Sequence, residues 1–181
     1  MRGKFWGVGM VLLAALGLAG CSQSRVENLL IACPTLSLPS DVADLSRHRP
    51  GTPPDLSTLV LDARIQALDG ACRGARRGQG VAVSLAARFQ VERGPAGTER
   101  GAELPWFIAI VEDGTETILN RQTFVQRVTF APNTTVTTVT SPRVELVFPL
   151  RAERRIQDHR IMVGFLLTPE ELALNRTRGP R

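Results

Sequence analysis

The sequence contains no tyrosine, only two histidines and three cysteines, and no lysine beyond Lys4. Each shortage removes a class of chemistry. Two histidines, His48 and His159, with so few cysteines do not furnish a Cys/His metal centre, so no metal or other cofactor is expected. No Gly-x-Ser-x-Gly elbow occurs, and the lysine and spacing of a phosphate-binding Walker loop are absent. No internal repeat is evident. The apolar run from Phe5 to Leu18 carries no charge, but it is shorter than the about 20 residues that span a bilayer.

That short run has the length of a signal-peptide core, and Arg2 and Lys4 precede it as a positive n-region. It ends in Leu18-Ala19-Gly20-Cys21, a match to the bacterial lipobox. Small residues before the cysteine let a signal peptidase grip the backbone. The thiol takes diacylglycerol as a thioether, and cleavage frees the Cys21 amine for acylation. Residues 1–20 are therefore expected to be removed, with Cys21 lipidated and residues 21–28 serving as a tether. Ser22 after the cysteine leans towards the outer membrane, with the periplasmic face of the inner membrane as the alternative. Loss of Arg2 and Lys4 lowers the formal net charge from +5 to about +3. An arginine-only, Ala/Gly/Pro-rich chain is what a GC-rich genome produces, and export argues further against nucleic acid. Once Cys21 carries lipid, Cys33 and Cys72 remain. In an oxidising compartment they are expected to form a disulfide, closing a loop of about 40 residues worth at most about 4 kcal/mol.

Residues 29–175 read as one domain and 176–181 as a flexible tail. Leu29 to Ala32 is expected as a first strand, and Pro34 to Asp55 as a proline-rich loop with one helical turn from Ser40 to Leu45, capped by Ser40. Leu59, Leu61, Ala63, Ile65 and Ala67 then alternate with polar neighbours, the mark of a half-buried strand that Asp69-Gly70 breaks or bulges. Val81, Val83, Leu85, Ala87, Phe89 and Val91 form the face of a second strand. A basic loop, Arg73 to Gly80, would join the two as a hairpin. Leu104 to Val111 is apolar on both faces and reads as a strand buried from both sides. Asp113-Gly114 turns it into a more polar strand from Ile118 to Phe130. Val144 to Leu150 and Ile161 to Leu167 are further strands, with Thr134 to Thr140 either strand or extended loop. Thr168-Pro169-Glu170-Glu171 opens a helix as an N-cap, an N1 proline and a capping box, and Asn175 is its expected close. Six or seven short strands and one C-terminal helix indicate an antiparallel, immunoglobulin-like β-sandwich, with a small β-barrel as the alternative.

Candidate sites are sparse. Asp158-His159 is the single Asp-His neighbour pair, without an evident nucleophile, and it lies in a charged stretch expected at the surface. Arg73, Arg76 and Arg77 lie in a glycine-rich loop whose guanidinium forks suit phosphates, so anionic lipid or lipopolysaccharide is a candidate partner. Trp106 and Phe107 read as core.

With Cys21, the Cys33–Cys72 pair, Pro105-Trp106-Phe107 and the run from Val163 to Leu172 in view, the chain resembles a group of small alphaproteobacterial lipoproteins without established activity. The resemblance implies a compact exported domain and supplies no functional residues. The expected role is non-enzymatic: a lipid-anchored periplasmic binding or structural protein, accessory to an envelope complex. The alternatives are anionic-lipid binding through the arginine loop and a small hydrolase. An uncovered strand edge would favour a protein partner. An apolar cleft gathering His159 with acidic residues would favour the enzyme.

Overall fold

A computed structural model describes residues 32–75, 80–149 and 155–181, without the side chain of Pro149. The chain from Met1 to Ile31 lies outside these, and with it the signal segment, Cys21 and most of the expected first strand. Among the described residues, nine strands form two facing sheets. They are β1 (Thr35–Ser37), β2 (Asp44–His48), β3 (Leu59–Gly74), β4 (Gly80–Arg93), β5 (Gly101–Glu112), β6 (Ile118–Thr129), β7 (Val136–Thr140), β8 (Val144–Pro149) and β9 (His159–Phe165), followed by helix α1 (Pro169–Arg178). One sheet runs β1-β9-β5-β6; the other runs β2-β3-β4, with both β7 and β8 on the outer side of β4. All pairings are antiparallel except β1 with β9. The architecture is a β-sandwich, and among the described residues no barrel closes.

The core lies where the alternation places it. Val81, Val83, Leu85, Ala87, Phe89 and Val91 all face it from β4, against Leu104, Trp106 and Ile108 of β5 and Ile161, Val163 and Phe165 of β9. Phe89 meets Trp106 edge-on at 5.6 Å, a geometry that aromatic pairs favour, and Phe165 with tilted rings at 5.7 Å. β5 is buried from both sides as expected, with Phe107, Ala109 and Val111 in a smaller outer cluster with Val42 and Met162. Pro105 sits inside β5. Its carbonyl accepts from Leu166 N at 2.9 Å, so its nitrogen points to the β9 side, beyond the last paired residue Phe165.

Several expectations need correction. Asp69-Gly70 does not interrupt β3, which pairs with β4 as far as Gly74. The bulge is at Gln66, between Ile65 and Ala67. One extra residue exchanges the faces of a strand. Leu61, Ala63 and Ile65 face the core before the bulge, and Leu68 and Cys72 pack against it afterwards. Ala67 thus leaves the core face, and Cys72 turns towards it, where it is joined to Cys33 with a Cα separation of 6.1 Å, inside the usual disulfide span. The segment expected as loop and helical turn holds β1, a short 3-10 turn (Ser40–Val42) and β2. Pro39, and not Ser40, is at the N-cap of that turn, without a side-chain cap. Asp44 and Leu45 open β2 and are buried.

α1 begins as expected. Thr168 Oγ1 accepts from Glu171 N at 3.2 Å and Glu171 Oε2 accepts from Thr168 N at 2.9 Å. It does not end at Asn175. That residue is buried in the helix and donates to the Asp41 and Asp44 carbonyls at 2.9 and 2.8 Å. The helix continues to Arg178, and the residues beyond it are tied down: Arg181 bonds Asp44 at 3.0 Å and Asp62 at 2.9 Å.

Candidate functional site: an open strand edge

A sheet edge carries unpaired N–H and C=O groups, and soluble proteins protect such edges. Three of the four edges here are blunted. β1 is only 3 residues long. β2 lies beside α1, held through Asn175 and through Arg47, which bonds Glu171 at 3.3 Å. The third edge is broken: β7 leaves β4 after Thr140 and β8 joins it at Val144, across Ser141-Pro142-Arg143. Buried Ser141 bridges the gap. Its hydroxyl accepts from Ala87 N at 3.0 Å and donates to Pro142 O at 3.0 Å.

β6 is different. It is a 12-residue edge strand without proline, paired among the described residues with β5 alone. Just after it, Phe130 donates its N–H to Arg100 O at 2.8 Å, which fixes the alternation. Even-numbered residues from Asn120 to Val128 direct their backbone groups to β5. Those of Arg121, Thr123, Val125, Arg127 and Thr129 point outward. One outward group is occupied, because the Gln126 side chain donates to Arg127 O at 2.9 Å. Apolar side chains are exposed along the same strand: Ile118 is 58%, Leu119 45% and Val125 57% accessible. Periodicity alone marked this strand as polar. Its edge position depends on a sheet order that local sequence does not encode.

The sequence-derived candidates sit elsewhere. Cys33–Cys72 and the ends of the basic loop, Ala75 and Gly80, share one end of the sandwich with the Asp113-Gly114 turn. Arg76 and Arg77 lie outside the described residues. Arg73 belongs to β3 itself, and one guanidinium nitrogen reaches both Glu145 oxygens at 2.9 and 2.8 Å. Asp158 and His159 are used locally. The Asp158 carboxylate accepts from Arg155 N at 3.0 Å, while the His159 ring nitrogen lies 3.1 Å from Arg155 O and the ring packs edge-on against Phe148. Trp106 is buried in the core, stacked on Phe124 at 4.8 Å. Among the described residues, no group of three His, Cys, Asp or Glu could hold a metal ion. None of their helices is long and apolar enough to cross a membrane.

The arginines sort by whether a carboxylate reaches them. Asp44, nearly inaccessible, receives Arg64 at 2.8 Å, Arg181 at 3.0 Å and Arg178 at 3.7 Å. Burial alone would raise its pKa; the hydrogen bonds from Arg64 and Arg181 outweigh that and hold it below the ordinary value. Burial likewise pulls the Arg178 pKa down, whereas Asp62 and Asp44 together outweigh burial at Arg181 and raise it. On β6, by contrast, Arg121 has no acidic partner among the described residues and lies over the Phe107 ring at 4.7 Å. Arg127 has only an exposed pair with Glu103 at 3.1 Å.

No family model, curated protein or solved structure matches the chain.

Proposed function

We propose that this chain is a non-catalytic accessory protein of the bacterial envelope, anchored by lipid on Cys21, that holds an extended, acidic segment of a partner protein along β6. The open edge of β6 carries the reading. A guest strand gains affinity from main-chain hydrogen bonds to the outward groups of Arg121, Thr123 and Val125, and selectivity from the side chains that flank them. Charge argues for a foreign, acidic guest over a second copy. An antiparallel self-pair centred on Phe124 sets Arg121 of each copy opposite Arg127 of the other, and like charges directly opposed are unfavourable. An acidic guest reverses both terms, and the weak exposed Arg127–Glu103 pair is readily exchanged.

The test uses Thr123→Pro. Thr123 turns its N–H away from β5, so proline there leaves the internal ladder intact while removing the central donor a guest needs. Photocrosslinking from Val125 in intact cells should capture a segment rich in Asp and Glu, and Thr123→Pro should abolish both the crosslink and complementation of a deletion strain. A folded, membrane-held Thr123→Pro protein that complements fully would overturn the reading, and so would a crosslink from Val125 to a second copy.

A second reading rests on the position of the basic loop. Ala75 and Gly80 lie at the same end of the sandwich as Cys33, the end at which an anchor on Cys21 would enter. Arg73, Arg76 and Arg77 would there meet anionic lipid or lipopolysaccharide.

A further inference from the structure

The opposite end of the sandwich opens into a cleft of about 730 Å³ between the two sheets. It is bounded by the start of β3, the ends of β4 and β6, the first residues of β5, and the loop 94–100. Its apolar wall includes Val60, Ala102 and Val128, and four arginines, Arg47, Arg49, Arg93 and Arg127, line it against two carboxylates, Glu99 and Glu103. Arg47 is occupied by Glu171 and by Glu103 O at 2.9 Å, and Arg127 by Glu103. Arg49 and Arg93 have no carboxylate within ion-pair distance among the described residues. The Arg93 guanidinium lies over the Phe130 ring at 5.8 Å.

The rim is fixed in advance. Gly94 N donates to Val60 O at 3.0 Å, Ala96 N to Leu59 O at 2.9 Å, and Gly97 N to Gly94 O at 2.9 Å. The loop lies so close to β3 that a Cβ on Gly94 would overlap Leu59 O and one on Gly97 would overlap Val60 O. A concave, partly apolar site with a few convergent polar groups on a pre-ordered frame is the usual form of a small-molecule site.

We infer that this cleft binds a small amphipathic anion: a single carboxylate or phosphate held by Arg49 and Arg93, carried on an apolar body lying along Val60, Ala102 and Val128. Arginine forks match either headgroup, and arginines outnumber the carboxylates that line the cleft. The site is separate from guest binding along β6. Arg127 borders both, so the test avoids it and uses Arg49, beyond the end of β2, and Arg93, at the end of β4.

The full chain, held in neutral phosphatidylcholine nanodiscs, is titrated calorimetrically with hexanoate, hexyl phosphate, inorganic phosphate and 1-hexanol, with empty nanodiscs subtracted. At least one of the two amphipathic anions should saturate a single site, and which one identifies the headgroup. Arg49→Gln and Arg93→Gln should each weaken binding about tenfold or more, and raising the salt should weaken it further. Arg49 holds no side-chain partner among the described residues, so its variant keeps the test valid even if Arg93→Gln perturbs Phe130. The inference is overturned if neither anion saturates the parent, if 1-hexanol binds as tightly as both, or if the Arg49→Gln protein binds like the parent. Inorganic phosphate binding as tightly as hexyl phosphate would overturn the amphipathic class.

Discussion

Two groups of arginines stand on opposite terms. Around Asp44 and Asp62, Arg64, Arg178 and Arg181 are bonded to carboxylates and fasten α1 and the C-terminal residues to the β2–β3 sheet. At the mouth of the cleft, Arg49 and Arg93 have no such partner among the described residues. Composition cannot tell the groups apart, since every basic residue past Lys4 is an arginine. The carboxylates tell them apart. An arginine whose charge is met inside the fold belongs to stability, and one whose charge is unmet is available to something outside it.

The largest expected effect breaks the first group. Asp44→Ala leaves three cations together around a buried position. Losing one member of a buried pair costs about 3–5 kcal/mol, and the low end applies because the arginines are about a third exposed. The Asp44→Ala protein should lose about 3 kcal/mol in urea unfolding, whereas Arg49→Gln should stay within about 0.5 kcal/mol of the parent. Equal losses in the two variants would erase the distinction.

Acid should act on the same group. The Asp44 pKa is lower in the folded chain than its ordinary 3.8, so the unfolded chain binds the proton more readily. The stability Asp44 contributes is complete above about pH 4 and is lost as pH falls through the folded value. Arg178 and Arg181 keep their charge throughout that window. Thermal melts between pH 5 and pH 2 should show a steeper acid decline in the parent than in Asp44→Asn. Parallel declines would remove Asp44 as their source.

How much of this could be read in advance follows from distance along the chain. Thr168-Pro169-Glu170-Glu171 specified the start of α1 because a capping box closes within one turn. The β4 face and the two-sided β5 were legible because alternation is local. The Gln66 bulge left no mark, since one inserted residue changes faces without changing composition, and Asp69-Gly70 drew attention to the wrong place. Asp44 read as a polar turn residue because Arg178 and Arg181, which make it structural, lie more than a hundred residues away. The β6 edge was hidden because the next strand, β7, crosses to the other sheet, and the cleft because residues of both sheets line it.

The smallest effect converts one kind of arginine into the other. Arg73 is paired with Glu145, but both side chains are about half exposed, so the pair is worth only a few tenths to about 1 kcal/mol. Glu145→Gln should therefore barely alter the melting temperature while freeing Arg73 beside the basic loop. If that loop meets anionic lipid, the freed charge should strengthen binding of the chain to phosphatidylglycerol-containing vesicles by up to about fivefold, since a basic residue near such a surface contributes about 1 kcal/mol. The gain should vanish at high salt and in the Glu145→Gln, Arg73→Gln double variant. Sedimentation with vesicles at two salt concentrations measures it. An affinity that Glu145→Gln leaves unchanged would place Arg73 with the structural arginines and leave the lipid reading to Arg76 and Arg77 alone.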